Sequence, residues 1–169
     1  MKVAAAVAHP EAPPAFRIAT RADLARLSGP GLRAFRAIAE EWGLPEKARI
    51  ALLGLPARST YHQWLGKAER REPLTLPLDT LTRISGILGV HDALATLFRD
   101  RGEAQAWLAG PHRGAIFAGA SPLRFAIDGG LDGILTVRRH LDAWRAGALA
   151  ADAPAADIPP VREEDIVLS

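Results

Sequence analysis

Ser121 is the residue whose surroundings come nearest to those of a catalytic nucleophile. It is the third residue of the stretch GASPL, residues 119–123, which is the position of the serine in a Gly-x-Ser-x-Gly nucleophile elbow. Leu123 occupies the place of the second glycine, and no strand pattern precedes the stretch. A serine followed by Pro122 is typical of a helix start, because the hydroxyl caps the helix and proline suits its first position. We therefore interpret Ser121 as a helix cap.

Other patterns of catalysis and ligand binding are absent from the sequence. There is no cysteine, no phosphate-binding glycine loop, and no pair of histidines at metal-ligand spacing. His140, between Arg139 and Leu141, is interpreted as a solvated helix residue rather than a base. We expect a protein that is not an enzyme and that needs no cofactor and no metal.

A second stretch with chemical character is ARSTYHQWLGK, residues 57–67. Polar and basic side chains crowd its start, where the free backbone N–H groups of a helix can meet phosphates or base edges. A short helix over 45–53 and a tight turn at Gly54 complete the pattern of a helix-turn-helix, with Trp64 and Leu65 facing inward. The candidate DNA-binding residues are Arg49, Arg58, Ser59, Thr60, Tyr61, Gln63 and Lys67.

Charge is distributed unevenly along the chain. Residues 1–71 hold twelve Lys and Arg against six Asp and Glu, residues 72–147 hold eight against eight, and residues 148–169 hold one against five. A basic first part indicates a polyanionic partner such as DNA, whereas the acidic tail indicates a different contact. Because one such domain offers few side chains that read bases, we expect a homodimer on a two-fold operator site.

Apolar residues recur at three- and four-residue spacing through most of the chain, and strand-like alternation is missing. The clearest stripe consists of Leu32, Phe35, Ile38 and Trp42. The fold class is therefore predicted to be all-α. Thr20 and Asp23 form a capping-box pattern at the start of the first helix. We expect Gly29-Pro30-Gly31 to end that helix and Gly89 to break a later one.

The composition is that of a soluble globular protein, with 49% hydrophobic and 24% charged residues. No apolar run approaches the ~18 residues that a membrane span requires. The opening MKVAAAVAHPEA begins like a secretion signal, but its apolar stretch falls short of the roughly 7 to 15 residues of a signal core. We expect a cytoplasmic protein without a membrane partner.

Residues 107–147 carry a specific series of short motifs. They are Trp-Leu, Phe-x-Gly-x-Ser-Pro-Leu, a glycine after a short helix, and Val-Arg-Arg-x-Leu, in that order. Upstream stand LLGLPARSTYHQW and LDTLTRISGILGVHDALATLF. Together these stretches resemble the Xre/MbcA/ParS antitoxin family, in which an Xre-like helix-turn-helix precedes a toxin-binding domain. The resemblance covers residues 31–147, and the start before residue 20 and the tail after residue 147 depart from the family's pattern.

The resemblance implies both an organisation and a function. The domains would be a flexible segment over 1–19, an Xre-like helix-turn-helix domain over 20–100, a small helical toxin-binding domain over 101–147, and an acidic Ala/Pro-rich tail over 148–169. The function would be that of a type II antitoxin. Such a protein sequesters a RES-domain toxin, a bacterial enzyme that consumes NAD, within a larger complex, and it binds the promoter of its own operon.

Two modes of toxin binding stay open. In one, a rigid helix after Ser121 and a reversal at Gly129-Gly130 present Arg124 and Asp128 as a wedge. In the other, the acidic tail threads into the toxin's cleft with its apolar end as an anchor. The candidate toxin-binding residues are Phe117, Gly119, Ser121, Pro122, Arg124, Asp128, Arg138, Arg139, Ile166, Val167 and Leu168.

Arg138 and Arg139 point about 100° apart on one helix. One of them would face the toxin and the other an internal carboxylate such as Asp128 or Asp142. Other functions also remain: a stand-alone DNA-binding regulator whose second half dimerises or senses a ligand, or an antitoxin whose helix-turn-helix is only a scaffold. The hairpin at 119–147 could also serve simply to close the core.

Overall fold

The computed structural model describes residues 20–147, and every regular element in that range is an α-helix. This confirms the predicted all-α fold class. The helices are α1 (Arg21–Glu41), α2 (Glu46–Leu52), α3 (Arg58–Glu69), α4 (Leu78–Leu97), α5 (Arg101–Ala109), α6 (Pro122–Asp128) and α7 (Gly130–Arg145). The segments 1–19 and 148–169 lie outside the described residues.

Helix α1 begins at the predicted capping box but does not end where the sequence indicated. The Thr20 side chain accepts a hydrogen bond from the Asp23 backbone, and the Asp23 carboxylate accepts one from the Thr20 backbone. The expectation that Gly29-Pro30-Gly31 stops the helix was wrong, because Pro30 lies inside a continuous helix of 21 residues. An interior proline costs about 3 kcal/mol, so packing along the rest of the helix must outweigh this local penalty.

That packing lies on one face of α1 and extends past the proline in both directions. Its buried residues are Ser28, Leu32, Phe35, Ile38 and Ala39. The Ser28 hydroxyl donates to the Leu24 carbonyl at 2.6 Å and accepts from the Leu76 backbone N–H at 2.8 Å. This hydrogen bond ties α1 to the connector that leads into α4.

Helix α4 packs against α1 on one flank and against α7 on another. Gly31 of α1 lies beside Ile84, and Glu41 at the end of α1 lies beside His91 further along α4. On the other flank, Ile134 lies beside Gly86, and Arg145 near the end of α7 pairs with Asp92 at 3.4 Å. From the start to the end of α4, its contacts advance along α1 and along α7 in the same direction. Helix α4 is therefore the core element that both of these helices share.

Gly89 does not break α4, which corrects the second sequence-based expectation. The helix runs without interruption from Leu78 to Leu97. A Cβ atom at Gly86 would lie 2.6 Å from Cγ2 of Ile134, and one at Gly89 would collide with the guanidinium of Arg138. The two glycines therefore let α7 approach α4 closely, and this role explains glycine inside a helix better than a chain break does.

The remaining helices pack around α1, α4 and α7. Helix α3 lies on α1, and the Arg33 guanidinium holds it by donating to the Ala68 carbonyl at 2.9 Å. Helix α2 contacts α6 and α7, and α6 packs on α5 and α7. Between residues 20 and 147, the structure contains no helix with the length and apolar character needed to cross a membrane.

The close approach of α4 and α7 predicts different costs for two otherwise identical substitutions. Gly86→Ala places its methyl group against Ile134, which is completely buried and cannot move aside. Gly89→Ala meets only the end of the flexible, part-exposed Arg138 side chain. The gain in helix propensity is the same at both positions. We therefore expect the Gly86→Ala variant to be less stable than the Gly89→Ala variant by about 1–3 kcal/mol.

Chemical denaturation of the two variants and the wild type would measure this difference in free energy of unfolding. Gly89→Ala is the matched control, since it makes the same change one helical turn away. Equal stability of the two variants would contradict the close packing of Ile134 against α4.

Candidate functional site

Helices α2 and α3 meet in a tight turn, as the helix-turn-helix pattern predicted. Gly54 and Leu55 both adopt positive φ angles, 93° and 59°, which lets the chain reverse within a few residues. The Leu53 carbonyl accepts a hydrogen bond from the Thr80 hydroxyl at 3.2 Å, which fixes the turn against the start of α4. The turn is therefore built into the core, while the Leu55 side chain stays 74% exposed.

The inward face of α3 corrects the assignment of Tyr61 to the DNA-binding set. Tyr61 is only 2% exposed and belongs to the core, as does Ala68. Trp64 and Leu65, which were expected to face inward, are part-buried between them. These four residues follow the spacing i, i+3, i+4, i+7 of a buried helix face. The face thus begins at Tyr61, one turn earlier than the sequence-based interpretation placed it.

The other candidate DNA-binding residues divide into outward and inward groups. Arg58, Ser59 and Gln63 are exposed on α3, and Thr60 and Lys67 are part-exposed. Arg49 turns toward the chain instead: its Nε donates to the Leu44 carbonyl at 2.7 Å, so it closes the turn between α1 and α2. The polar first turn of α3 is therefore the part of this pattern that stays available to a partner.

Glu46 and His62 belong to the same surface, and neither was a sequence-based candidate. One carboxylate oxygen of Glu46 accepts from Arg58 Nε at 2.5 Å, and the other lies 3.2 Å from His62 Nε2. The signal was present in the spacing, because Glu46 is the first residue of α2 and Arg58 the first residue of α3. A helix-turn-helix brings these two helix starts to one edge.

Several other cations of the basic half are also paired. Arg36 bonds Glu40 at 2.7 Å and contacts Glu69, and its hydrogen bond lowers the pKa of the Glu40 carboxyl. Arg70 bonds Glu72 at 2.6 Å, which lowers the pKa of the Glu72 carboxyl. The net positive charge of this half is therefore partly balanced at its surface.

In the second half, the stretch around Ser121 forms a capped short helix as predicted. The Ser121 hydroxyl accepts from the Arg124 backbone N–H at 3.1 Å, and Pro122 occupies the first turn of α6. Gly130, with a φ of 59°, begins α7 immediately afterwards. Arg124 and Asp128 pair with each other on the exposed side of α6. Pro122 itself is buried, so it shapes the helix start and does not present a surface.

An aromatic cluster packs against the buried side of this short helix. Phe117, 3% exposed, makes T-shaped contacts with Phe125 at 5.6 Å and with His140 at 5.2 Å. Trp107 stacks on His140 with ring centroids 6.0 Å apart. Phe117 is thus a core residue, which corrects its assignment to the toxin-binding surface. His140 is 6% exposed, so the interpretation of a solvated residue was also wrong.

Arg138 and Arg139 point in different directions, as their helical spacing predicts. Arg138 faces α4, where it donates to the Ser85 carbonyl at 3.1 Å and lies 3.5 Å from Asp142. Arg139 is 68% exposed and bonds the Thr136 hydroxyl at 3.0 Å. Arg139 is therefore the outward member of the pair, whereas Arg138 lies along α4 beside Asp142, whose side chain is 40% exposed and so is not an internal carboxylate.

The remaining toxin-binding candidates are only partly described. Gly119 is exposed in the loop before α6 and adopts a φ of 91°. Ile166, Val167 and Leu168 lie outside the described residues. Within the described hairpin, the outward groups are thus the paired charges Arg124 and Asp128 of α6 and Asp132 and Arg139 of α7.

A cavity of about 210 Å³ opens where the ends of α1 and α4 meet the start of α5. Trp42, Leu94 and Phe98 form its apolar side, and His91 lies 3.3 Å from Glu41 on its polar side. None of the predicted binding residues lines it. No group of three or more His, Cys, Asp and Glu side chains within residues 20–147 is arranged to hold a metal ion.

Two family models match adjacent parts of the chain. The model described as "Antitoxin Xre-like helix-turn-helix domain" matches residues 21–89, and the model described as "Antitoxin Xre/MbcA/ParS C-terminal toxin-binding domain" matches residues 93–147. The boundary between them falls within α4. The chain is also similar to "Uncharacterized protein y4oB" of Sinorhizobium fredii (strain NBRC 101917 / NGR234). The two are 40% identical over 116 residues, which is 69% of this chain and 84% of that protein.

Proposed function

Because the chain belongs to the Xre/MbcA/ParS antitoxin family, with both its helix-turn-helix and its toxin-binding domain, we propose that it neutralises a RES-domain toxin. Such a toxin is an enzyme that consumes NAD. The antitoxin acts by covering the enzyme's active site, and this requires binding and no chemistry of its own. It also represses its own operon by binding operator DNA as a homodimer within a type II toxin-antitoxin complex.

The observation that carries the toxin-binding part is the charged outer side of α6 and α7. Arg124, Asp128, Asp132 and Arg139 have side chains between 55% and 88% exposed. They lie on helices whose buried sides pack against the aromatic cluster. Exposed ion pairs contribute little to folding, about 0–1 kcal/mol, so exchanging them for pairs across an interface costs little.

The tail is proposed to share this work with the hairpin. The tail holds five acidic residues and one arginine, and all of them precede its apolar end, Ile166, Val167 and Leu168. An acidic chain of this kind is complementary to a basic pocket that binds the phosphates of NAD. Hairpin and tail would then make separate contributions to toxin affinity.

Reversal of the outward arginine and removal of the tail test the two contributions. We expect Arg139→Glu to weaken toxin binding by about tenfold or more, because a rim charge becomes repulsive toward a complementary surface. We expect deletion of residues 149–169 to weaken binding and to restore part of the toxin's NAD consumption. Calorimetric titration of the purified toxin and a spectroscopic NAD assay measure these effects.

The matched control is Arg26→Glu, which reverses an arginine of similar exposure, 70% against 68%, on α1. It should leave toxin affinity unchanged. Full affinity and full NAD protection after the tail deletion would eliminate the tail contribution. Full affinity of Arg139→Glu would eliminate the proposed role of this side of α7.

The operator-binding part is supported by the exposed first turn of α3 and the excess of basic residues before residue 72. We expect Arg58→Ala and Gln63→Ala each to cost about 1–3 kcal/mol of operator binding if each makes one base contact. Tyr61→Ala is unsuitable for this purpose, because it would empty a buried position and destabilise the domain.

Fluorescence anisotropy with a duplex from upstream of the gene measures these affinities. The control is Arg113→Ala, an exposed arginine in the loop between α5 and α6. Unchanged operator affinity in both α3 variants would contradict base reading by this helix and leave the helix-turn-helix as a scaffold.

A further inference from the structure

The first residues of α2 and α3 are joined at the surface proposed to meet DNA. Glu46 Oε1 accepts from Arg58 Nε at 2.5 Å, and Glu46 Oε2 lies 3.2 Å from His62 Nε2. His62 follows Arg58 by four residues, so the two side chains share one side of α3. Glu46 therefore places a carboxylate between two groups that would otherwise approach the phosphates of a bound duplex.

We propose that Glu46 restrains the DNA affinity of this surface, because its carboxylate competes with DNA for Arg58. This inference rests on the proposed operator binding. Glu46 acts through Arg58, so it is a positioning residue and makes no base contact of its own.

The energies of the competing contacts decide when Arg58 leaves Glu46. The arginine and glutamate side chains are 76% and 37% exposed, and an exposed pair of this kind is worth only about 0–1 kcal/mol. A bidentate contact between arginine and guanine supplies about 1–3 kcal/mol of discrimination. A base edge of the correct sequence can therefore displace the carboxylate.

Non-specific DNA offers Arg58 a weaker alternative. Non-specific affinity comes from phosphate neutralisation, which is spread over several contacts and weakens as salt rises. One phosphate that competes with an intramolecular carboxylate gains little, because Arg58 only exchanges one anion for another. Arg58 then stays on Glu46, and the non-specific complex lacks one of its phosphate contacts.

Glu46→Gln tests this inference, because it keeps the size of the side chain and removes the charge. Binding is measured with two short labelled duplexes, one of unrelated sequence and one from upstream of the gene, over a range of salt concentrations. We expect affinity for the unrelated duplex to rise by about two- to fivefold, and its salt dependence to steepen by about 0.9. Affinity for the upstream duplex should rise by about the same factor or more, because the specific complex also breaks the ion pair between Arg58 and Glu46.

Two further variants separate this role from a general effect of charge. Asp132→Asn also removes one exposed negative charge near an arginine, 3.5 Å from Arg139 on α7, and it should leave both affinities unchanged. In an Arg58→Ala background, Glu46→Gln should lose most of its effect, because the group through which Glu46 acts is gone. Thermal unfolding of each variant checks that the fold is kept.

The possible failures are distinguishable. No rise for either duplex, an unchanged salt dependence, or a full effect in the Arg58→Ala background would overturn the role of Glu46 and leave operator binding intact. If the wild-type chain, alone and in complex with its toxin, binds both duplexes equally or binds neither, the proposed operator binding fails and this inference fails with it.

Discussion

The contact between α4 and α7 at Gly86 is the constraint on which the rest of the structure depends. Ile134 packs against the helix backbone at the place where any other residue would put a Cβ atom. The contact holds α7 against α4, and α4 in turn packs against α1. The two family matches meet within α4, yet the helix is continuous. The two functional halves of this antitoxin therefore share one core.

Both proposed interfaces extend from this core in a similar way. Helix α3 is fixed through Arg33 and the buried ring of Tyr61, while α6 and α7 are fixed through the aromatic cluster. In each case the outward arginines, Arg58, Arg124 and Arg139, are ion-paired, and such pairs can be exchanged at low cost for pairs with a partner. Arg83 of α4 lies beside both Gly54 and Gly130, so a single side chain packs against the turn before α3 and the turn before α7.

Local signals in the sequence predicted the features that local chemistry controls. The capping box at Thr20, the cap at Ser121 and the all-α class all follow from hydrogen bonding and periodicity within a few residues. Pro30 and Gly89 were misinterpreted because their local tendency to break a helix is outweighed by packing against distant residues. Burial of His140 depends in the same way on Trp107 and Phe117, which no short window contains.

The candidate surfaces were predictable in their location and less so in their detail. The helix-turn-helix pattern identified the first turn of α3, but the burial of Tyr61 follows from the register of the whole helix. The link between Glu46 and Arg58 joins the starts of two helices, so it follows only when both helix starts are considered together. The choice between Arg138 and Arg139 likewise required the position of α4.

The most direct test of the account measures NAD consumption by the RES-type protein expected from the neighbouring gene, alone and after addition of the full-length chain. The account predicts a stable complex and suppression of NAD loss in proportion to the antitoxin bound. Failure of the two proteins to associate, with NAD consumption undiminished and sequence-specific promoter binding by the free chain, would contradict it and leave a stand-alone transcription regulator.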